Sequence, residues 1–580
     1  MKSRIPEILS FIYGPEIGAG ITGEALKLLE DAKPRIEARA YSFNKGTCGS
    51  LPLDETDAFV ITYGDQMRKP GEPPLSGLYS FFRNRCAGFV KGIHILPFFP
   101  YSSDDGFSVI DYMQVNPELG TWRDIRELSS SFRLMADLVV NHCSVKSGWF
   151  SGFRAGRSPF TNYFITVPPD TDTSMVVRPR THPLLTPFDT VSGRKYVWTT
   201  FSSDQADLNF AAPAVLLEMI RILLYYAEEG VSVFRIDAVP YLWKELGTPC
   251  IHHPKTHGIV KLIRAVLSEA APWAVVVTES NVPHKENLSY FGDGDEAHMV
   301  YQFSLPPLTL DAFLRGDASR LTEWAEALPP PDGKTTFFNF LASHDGIGLL
   351  PAQGFLSEAE IAGMIDIVVK RGGLVSYKST PDGDIPYEMN VNYLSAIADP
   401  ENDVPVRARR FLSSQAVMLM MPGVPGVYIH SLLGSENWRE GVEKTGMNRT
   451  INREKFTHDA LTAELADAGS IRSAVFKGYA NMLARRAGEK AFHPGASAEI
   501  LRPVDAESRR VFGIRRFTDS PDEELYCLVN VSGERTAYRF SGTQPSPGAG
   551  WKDILTGDPF VPGKNRLLPW DTRWVKKAAP

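Results

Sequence analysis

VSVFRIDAV (Val231–Val239) is apolar along most of its length, then sets an arginine and an aspartate two residues apart near its end. A run that is apolar nearly throughout, rather than at every second position, suits a parallel strand covered on both faces. Side chains repeat every second residue along a strand, so Arg235 and Asp237 face the same way. Seven other runs share this character: AFVITY (Ala58–Tyr63), GIHILPF (Gly92–Phe98), FRLMADLVVN (Phe132–Asn141), AVVVTES (Ala274–Ser280), AHMVYQF (Ala297–Phe303), FFNFLAS (Phe337–Ser343) and GVYI (Gly426–Ile429). The stretches between them are long enough for helices. Helices are expected over Pro213–Glu229, with the proline in the first turn and Gly230 at the end, and over Lys255–Ala270. Eight strands alternating with helices predict an α/β protein built on a closed (β/α)8 TIM barrel, not an open sheet.

The chain has 580 residues, whereas a plain barrel needs only about 250. The excess reads as an N-terminal helical extension over residues 1–55 (helical at Gly23–Glu37), a barrel over 56–491 and a small C-terminal β-domain over 492–580. Within the barrel, loop insertions are expected after the third strand (142–212, with a Pro- and Thr-rich part at Val167–Thr190) and after the seventh (346–400, with STPDGDIPYEMN). Whether the extension packs on its own barrel or on a partner is not legible. The apolar stretch Phe411–Ile429 carries Ser413, Ser414, Gln415, Pro422 and Pro425, so it reads as a buried helix, turn and strand rather than a membrane span.

A net charge of −7 with no Lys/Arg block gives no footprint for nucleic acid and favours a small neutral or polar substrate. The cysteines (Cys48, Cys86, Cys143, Cys250, Cys527) are odd in number and form no CxxC pair, which speaks against a disulfide framework or zinc site. The opening MKSRIPEILSFIYGPE lacks the unbroken apolar core of a signal peptide. A cytoplasmic protein with no membrane partner is expected. No GxGxxG follows a strand and no Walker-type loop occurs, so no nucleotide, haem or catalytic metal is expected. His252, His253 and His257 invite a metal reading, but no carboxylate motif accompanies them.

Barrel enzymes work at the C-terminal ends of their strands. Those ends carry His142 after the third strand, Arg235 and Asp237 on the fourth, Glu279 on the fifth, and His344-Asp345 after the seventh. Any one acid at a strand end more often caps a helix or bonds a loop. Three converging carboxylates beside arginine and histidine instead suit glycoside chemistry, in which one carboxylate attacks the anomeric carbon and a protonated one serves the leaving oxygen. Arg235 would keep Asp237 ionised, and Glu279 would need surroundings that raise its pKa.

The segments ADLVVNH, FRIDAV, VVVTES and FLASHDGIG resemble, in order, the four signature regions of the α-amylase superfamily. HILPFFPYSSDDGFSVIDY, RPRTHPLLTPF and PGVPGVYIHSLLG narrow the resemblance to the sucrose phosphorylase subfamily. That resemblance implies a retaining phosphorylase with Asp237 as nucleophile, Glu279 as acid/base and Asp345 as transition-state stabiliser. It implies a substrate subsite drawn from Asp105, Phe107, His142, Gln205, Arg235, Tyr241, Asn281, His344, Glu388 and Arg449, with phosphate met by Arg180 and Tyr387. Where sucrose phosphorylases carry Tyr-Gln and His, this chain has Tyr387-Glu388 and Asn281. With the N-terminal extension, TESNVPHKENLSYFG and DEAHMVYQFSLPPL, these features resemble the glucosylglycerate phosphorylase branch. The implied substrates are the α-glucoside 2-O-α-glucosyl-D-glycerate, phosphate and glucose 1-phosphate. Sucrose or glucosylglycerol phosphorolysis, and hydrolysis or transglucosylation on the same nucleophile, stay open. An ionised Glu388 beside a glycerate carboxylate would be repulsive unless it binds acceptor hydroxyls and a cation takes the carboxylate. Arg178 is one candidate for that cation.

Overall fold

The computed structural model describes residues 3–39, 51–180, 182–380, 383–520, 522–541, 550–561 and 566–578. Cys48, Thr181, Pro381 and Asp382 lie outside the described residues. Eight strands form the barrel: β1 (Phe59–Thr62), β2 (Gly92–Ile95), β3 (Arg133–Leu138), β4 (Val231–Ile236), β5 (Val275–Thr278), β6 (Met299–Tyr301), β7 (Thr336–Asn339) and β8 (Val424–Tyr428). Each pairs in parallel with its sequence neighbours, and β8 closes on β1. Every residue of these strands is buried, as their near-continuous apolar sequences require. The first seven strands are each shorter than the run that predicted them, and β8 begins two residues earlier than its run and ends one residue sooner. Asn141, Asp237 and Glu279 fall just past the last ladder residue, in the turns that make the catalytic face.

The barrel interior is packed by large rings set against glycines. Phe59 and Phe338 meet edge-on at 6.1 Å. A Cβ at Gly92 would stand 2.3 Å from the Phe59 ring, and one at Gly426 would stand 2.4 Å from the Phe338 ring. Glycine at these points lets the rings fill the axis without spreading β1, β2 and β8.

The N-terminal extension folds as α1 (Ile5–Tyr13) and α2 (Pro15–Glu37), joined at Gly14, whose φ of 84° suits a residue without a Cβ. It packs on its own barrel. Tyr13 donates to the Phe210 carbonyl at 2.8 Å, and Arg35 pairs with Glu228 at 2.7 Å. Arg4 pairs with Asp295 at 2.9 Å. The helices beneath it run Pro213–Glu228 and Pro254–Ala270.

The insertion after β3 holds a helix (Gly148–Arg154) and a three-stranded antiparallel sheet, and the pairing of His142–Ser144 with Gln205–Asp207 ties it back to the barrel. The insertion after β7 forms a second antiparallel sheet in which Gly383–Asn390 lies between Ile347–Gly348 and Leu374–Thr380. The C-terminal part is a six-stranded sheet beginning at Ser497–Ile500 and including Thr572–Lys577. Among the described residues no helix is long and apolar enough to cross a membrane.

Because the Phe338 ring has no free space in front of it, Gly426→Ala is expected to cost about 1–3 kcal/mol in denaturant unfolding through overpacking. An unchanged midpoint would mean that the barrel axis is looser than these distances indicate.

Candidate active site

Immediately after β4 the chain turns through Ala238 in the left-handed region, at φ 49° and ψ 36°. Only a few percent of non-glycine residues adopt this conformation, and when they do they mark a constrained site. The turn leaves Asp237 at the barrel mouth and aims the Ala238 N–H at Glu279 Oε2, 3.0 Å away. Arg235, buried inside the mouth, donates from Nη1 to Asp237 Oδ1 at 2.8 Å and also pairs with Asp137 from β3. Its Nη2 lies 4.0 Å from Glu279 Oε2. One buried guanidinium thus stands among three carboxylates.

Burial raises the pKa of Asp237, and the neighbouring Glu279 charge adds to the rise while Arg235 opposes it. Burial likewise raises that of Glu279, helped by Asp345 and opposed by Arg235. Two carboxyls so placed titrate as a pair rather than independently. Geometry distinguishes them. Asp237 accepts a direct charge-assisted bond from Arg235, which favours its ionised form. Glu279 has the guanidinium at 4.0 Å and accepts the Ala238 N–H at 3.0 Å.

Asp345 is the opposite case. Burial pushes its carboxyl up, but Arg449, His344 and Arg453 outweigh that and hold it well below the usual carboxylate range. Arg449 Nη1 is 2.5 Å from Asp345 Oδ1, and His344 Nε2 is 3.6 Å from Oδ2. The backbone of this turn is clamped from the segment after β8: Asn452 Nδ2 donates to the Asp345 carbonyl at 3.0 Å, and Arg453 Nε donates to the His344 carbonyl at 2.9 Å. His344 stacks flat on Phe107, with ring centroids 4.9 Å apart and planes at 6°. Burial lowers its pKa to about 3, so the ring is neutral.

Phe107 is delivered by the SSDDGF turn, where Asp104, Asp105 and Gly106 all have positive φ (54°, 47° and 113°). The hydroxyls of Ser102, Ser103 and Ser108 all donate to Asp204 of the first insertion, which holds this strained turn in place. Of the residues implied by resemblance, Phe107, His142, Arg180, Gln205, Arg235, Asn281, His344, Tyr387, Glu388 and Arg449 line one pocket with Asp237, Glu279 and Asp345.

Three placements differ from expectation. Asp105 turns out of this pocket to pair with Arg453 and lines the neighbouring cavity, while Asp104 takes the place beside Gln205, whose Nε2 is 3.2 Å from its Oδ2. Tyr241 does not line the pocket; it stands edge-on behind Phe201 at 5.5 Å. Glu388 is not free to meet acceptor hydroxyls, because Arg449 grips both its oxygens at 2.9 and 2.7 Å and Asn390 donates to one at 2.5 Å. The neighbouring cavity, about 620 Å³, is larger than the carboxylate pocket but contains neither Asp237 nor Glu279. Most of its charges pair off, Arg68 and Lys455 with Asp65, Lys69 with Glu72 and Arg453 with Asp105.

Comparison with known proteins agrees with this geometry. The catalytic domain of the α-amylases matches residues 88–345. A glucosylglycerate phosphorylase from Spirochaeta thermophila is 56% identical, over 96% of this chain and 94% of its own. One from Escherichia coli is 42% identical over 99% of this chain and 100% of its own. The chain belongs to the glucosylglycerate phosphorylase family. Among solved structures, the sucrose 6F-phosphate phosphorylase of Thermoanaerobacter thermosaccharolyticum shares the fold, with a TM-score of 0.72 and 23% identity over 87% of this chain and 97% of that one.

This family member also relies on residues that the sequence reading passed over. His94 donates from Nε2 to Asp137 at 2.7 Å, so Asp137 is held from both sides and in turn fixes Arg235. The signal was present: a histidine inside GIHILPF and an aspartate inside RLMADL are polar groups in otherwise apolar strands. Lys244, fully enclosed, places Nζ 2.6 Å from Asp207 Oδ2 and 2.7 Å from Asn141 Oδ1. Asn141 Nδ2 in turn reaches His142 Nδ1 at 3.2 Å. This internal cation fastens the first insertion to the end of β3. His252, His253 and His257 take separate partners: Tyr290 at 2.9 Å, the Lys255 amide at 3.1 Å and Glu296 at 2.7 Å.

Removing the Lys244 charge strands Asp207 as an uncompensated buried carboxylate. Lys244→Met is expected to lose about 3–5 kcal/mol in denaturant unfolding. A loss under 1 kcal/mol would show that water reaches Asp207.

Proposed function

We propose that this enzyme is a retaining glycoside phosphorylase that converts 2-O-α-glucosyl-D-glycerate and phosphate into α-glucose 1-phosphate and D-glycerate, reversibly. Asp237 attacks the anomeric carbon. As the bond to the glycerate oxygen breaks, Glu279 gives its proton to that oxygen and a β-glucosyl ester forms on Asp237. A phosphate oxygen then attacks the same carbon from the opposite side, its proton passes to Glu279, and the ester bond breaks. Asp345, kept ionised by Arg449, accepts sugar hydroxyls whose bonds tighten as positive charge develops on the ring. Asp104, His142 and His344 frame the glucosyl group, with Phe107 stacked behind.

One observation carries phosphorolysis over hydrolysis. Arg180 stands in the pocket facing the Phe201 and Tyr387 rings at 5.9 and 6.0 Å, and among the described residues no carboxylate pairs with it. A guanidinium fork without a counter-ion suits an incoming phosphate, whose oxygens it matches in pairs. The high identity to full-length glucosylglycerate phosphorylases supports glycerate as the acceptor. A cytoplasmic location agrees with the four described cysteines, which are buried and unpaired.

The test is glucose 1-phosphate release, with and without phosphate, from glucosylglycerate, glucosylglycerol and sucrose in parallel. Phosphate-dependent release from glucosylglycerate is expected. Preference for either other donor would refute the acceptor assignment, and free glucose released without phosphate dependence would move the enzyme to the hydrolases. Asp237→Asn should lower the rate by several orders of magnitude with the fold intact.

The raised Glu279 pKa fixes the sign of the pH dependence. The protonated acid persists to higher pH than an exposed glutamate, and phosphorolysis falls on the basic side as that proton is lost. α-Glucosyl fluoride needs no proton to depart, so Glu279→Gln should keep its fluoride-release burst while losing turnover of glucosylglycerate. Glucosylglycerate turnover that keeps its rate and its basic limb in the variant would place the acid elsewhere.

A further inference from the structure

The proposed reaction requires one pocket to receive two different anions in turn, an acceptor carboxylate and a phosphate. Three guanidinium groups line it: Arg180, Arg235 and Arg449. Arg235 is committed to Asp137 and Asp237. Arg449 is committed to Asp345 at 2.5 Å and to Glu388 through two parallel bonds of 2.9 and 2.7 Å. Each therefore already answers two carboxylates and has no positive charge to spare for a third anion. Glu388 answers Arg449 from within the wall and brings no uncompensated negative charge to the acceptor. Arg180 differs from both. It faces the rings of Phe201 and Tyr387, which orient a planar cation, and among the described residues no carboxylate pairs with it.

Beside it, Asn281 supplies a second feature. Its Nδ2 donates to the Tyr387 hydroxyl at 3.2 Å, which fixes the amide, while its Oδ1 is buried on the pocket wall without a hydrogen-bond partner among the described residues. A buried carbonyl left unpaired costs free energy that a ligand hydroxyl would recover. A small 2-hydroxy acid with a further hydroxyl satisfies both features: the carboxylate one carbon from the reacting oxygen meets Arg180, and the spare hydroxyl donates to Asn281.

We propose that Arg180 is the single anion anchor of the acceptor subsite, holding the glycerate carboxylate in one half-reaction and phosphate in the other, with Asn281 Oδ1 taking the glycerate hydroxyl that does not react. This rests on the phosphorylase reading above. Glycerate must leave before phosphate enters, because both claim the same guanidinium. A neutral acceptor such as glycerol gains nothing from it. Arg178, two residues earlier, does not line the pocket, although its Nε and Nη2 are buried without hydrogen-bond partners among the described residues. It serves as the comparison residue.

The experiment uses the full-length enzyme with α-glucosyl fluoride as donor, so that the glucosyl-enzyme forms without phosphate, and reads apparent KM for phosphate, D-glycerate and glycerol as acceptors. In Arg180→Gln the KM values for phosphate and D-glycerate should rise together by roughly 10–100-fold, the scale of a lost charge-assisted hydrogen-bonding pair, with glycerol changed less than about threefold. Arg178→Gln should leave all three unchanged. In Asn281→Ala the preference for D-glycerate over D-lactate, which lacks the second hydroxyl, should shrink. A phosphate KM that rises while the glycerate KM holds, an equal loss for glycerol, or a glycerate effect only in Arg178→Gln would each overturn the shared anchor. An unchanged glycerate-to-lactate preference would overturn the role of Asn281. Failure of the phosphorylase reading is distinguishable, because wild-type enzyme would then transfer to neither phosphate nor glycerate.

Discussion

The Arg235 guanidinium is the pivot of the active site. A buried arginine is tolerable only where carboxylates pay for its desolvation, and a carboxylate so used cannot be removed without stranding the cation. Asp137 neutralises it from β3, with His94 of β2 holding Asp137 in turn. Asp237 completes the pairing at 2.8 Å. Once one cation is shared between two carboxylates, a third nearby, Glu279 at 4.0 Å, is most stable protonated. The division of labour proposed for Asp237 and Glu279 rests on this one charge count inside the barrel mouth.

A second arginine repeats the device at the other wall. Arg449, from the segment after β8, binds Asp345 after β7 and Glu388 of the second insertion. The insertion can approach this closely because Gly346 has no Cβ; one placed there would stand 2.4 Å from the Glu388 side chain. Lys244 does for the first insertion what Arg449 does for the second, locking Asp207 against the end of β3. Both insertions are therefore fastened to the barrel by buried ion pairs. Of the arginines that line the pocket between them, Arg180 pairs with no carboxylate among the described residues.

Much of this was legible in the sequence, because strands buried on both faces cannot hide a charge. Arg235 and Asp237 announce themselves within VSVFRIDAV, and Glu279 ends an otherwise apolar run. All eight strands follow from the same property. What was not legible was direction within turns and pairing across the chain. Asp104 and Asp105 are adjacent and chemically identical; only three consecutive positive φ angles decide which faces the carboxylate pocket. The Glu388–Arg449 and Lys244–Asp207 pairs join residues far apart in the chain, and no local pattern links them. The apparent clash between Glu388 and an acidic acceptor came from reading that carboxylate without its partner. The N-terminal helices were visible as helices, but their seat on the helices Pro213–Glu228 and Pro254–Ala270 depends on shape.

The most direct test of this account is to trap the glycosyl-enzyme and locate it. Wild-type enzyme and Glu279→Gln would be incubated with α-glucosyl fluoride without phosphate, quenched in acid and digested, and the peptides analysed by mass spectrometry. The account predicts one glucosyl residue esterified to Asp237, accumulating in the variant and discharged when azide is added as a nucleophile that needs no base. A glucosyl group on Glu279 or Asp345, or hydrolysis of the fluoride to β-glucose with no adduct, would contradict the assignment of Asp237 and the charge count around Arg235 on which it depends.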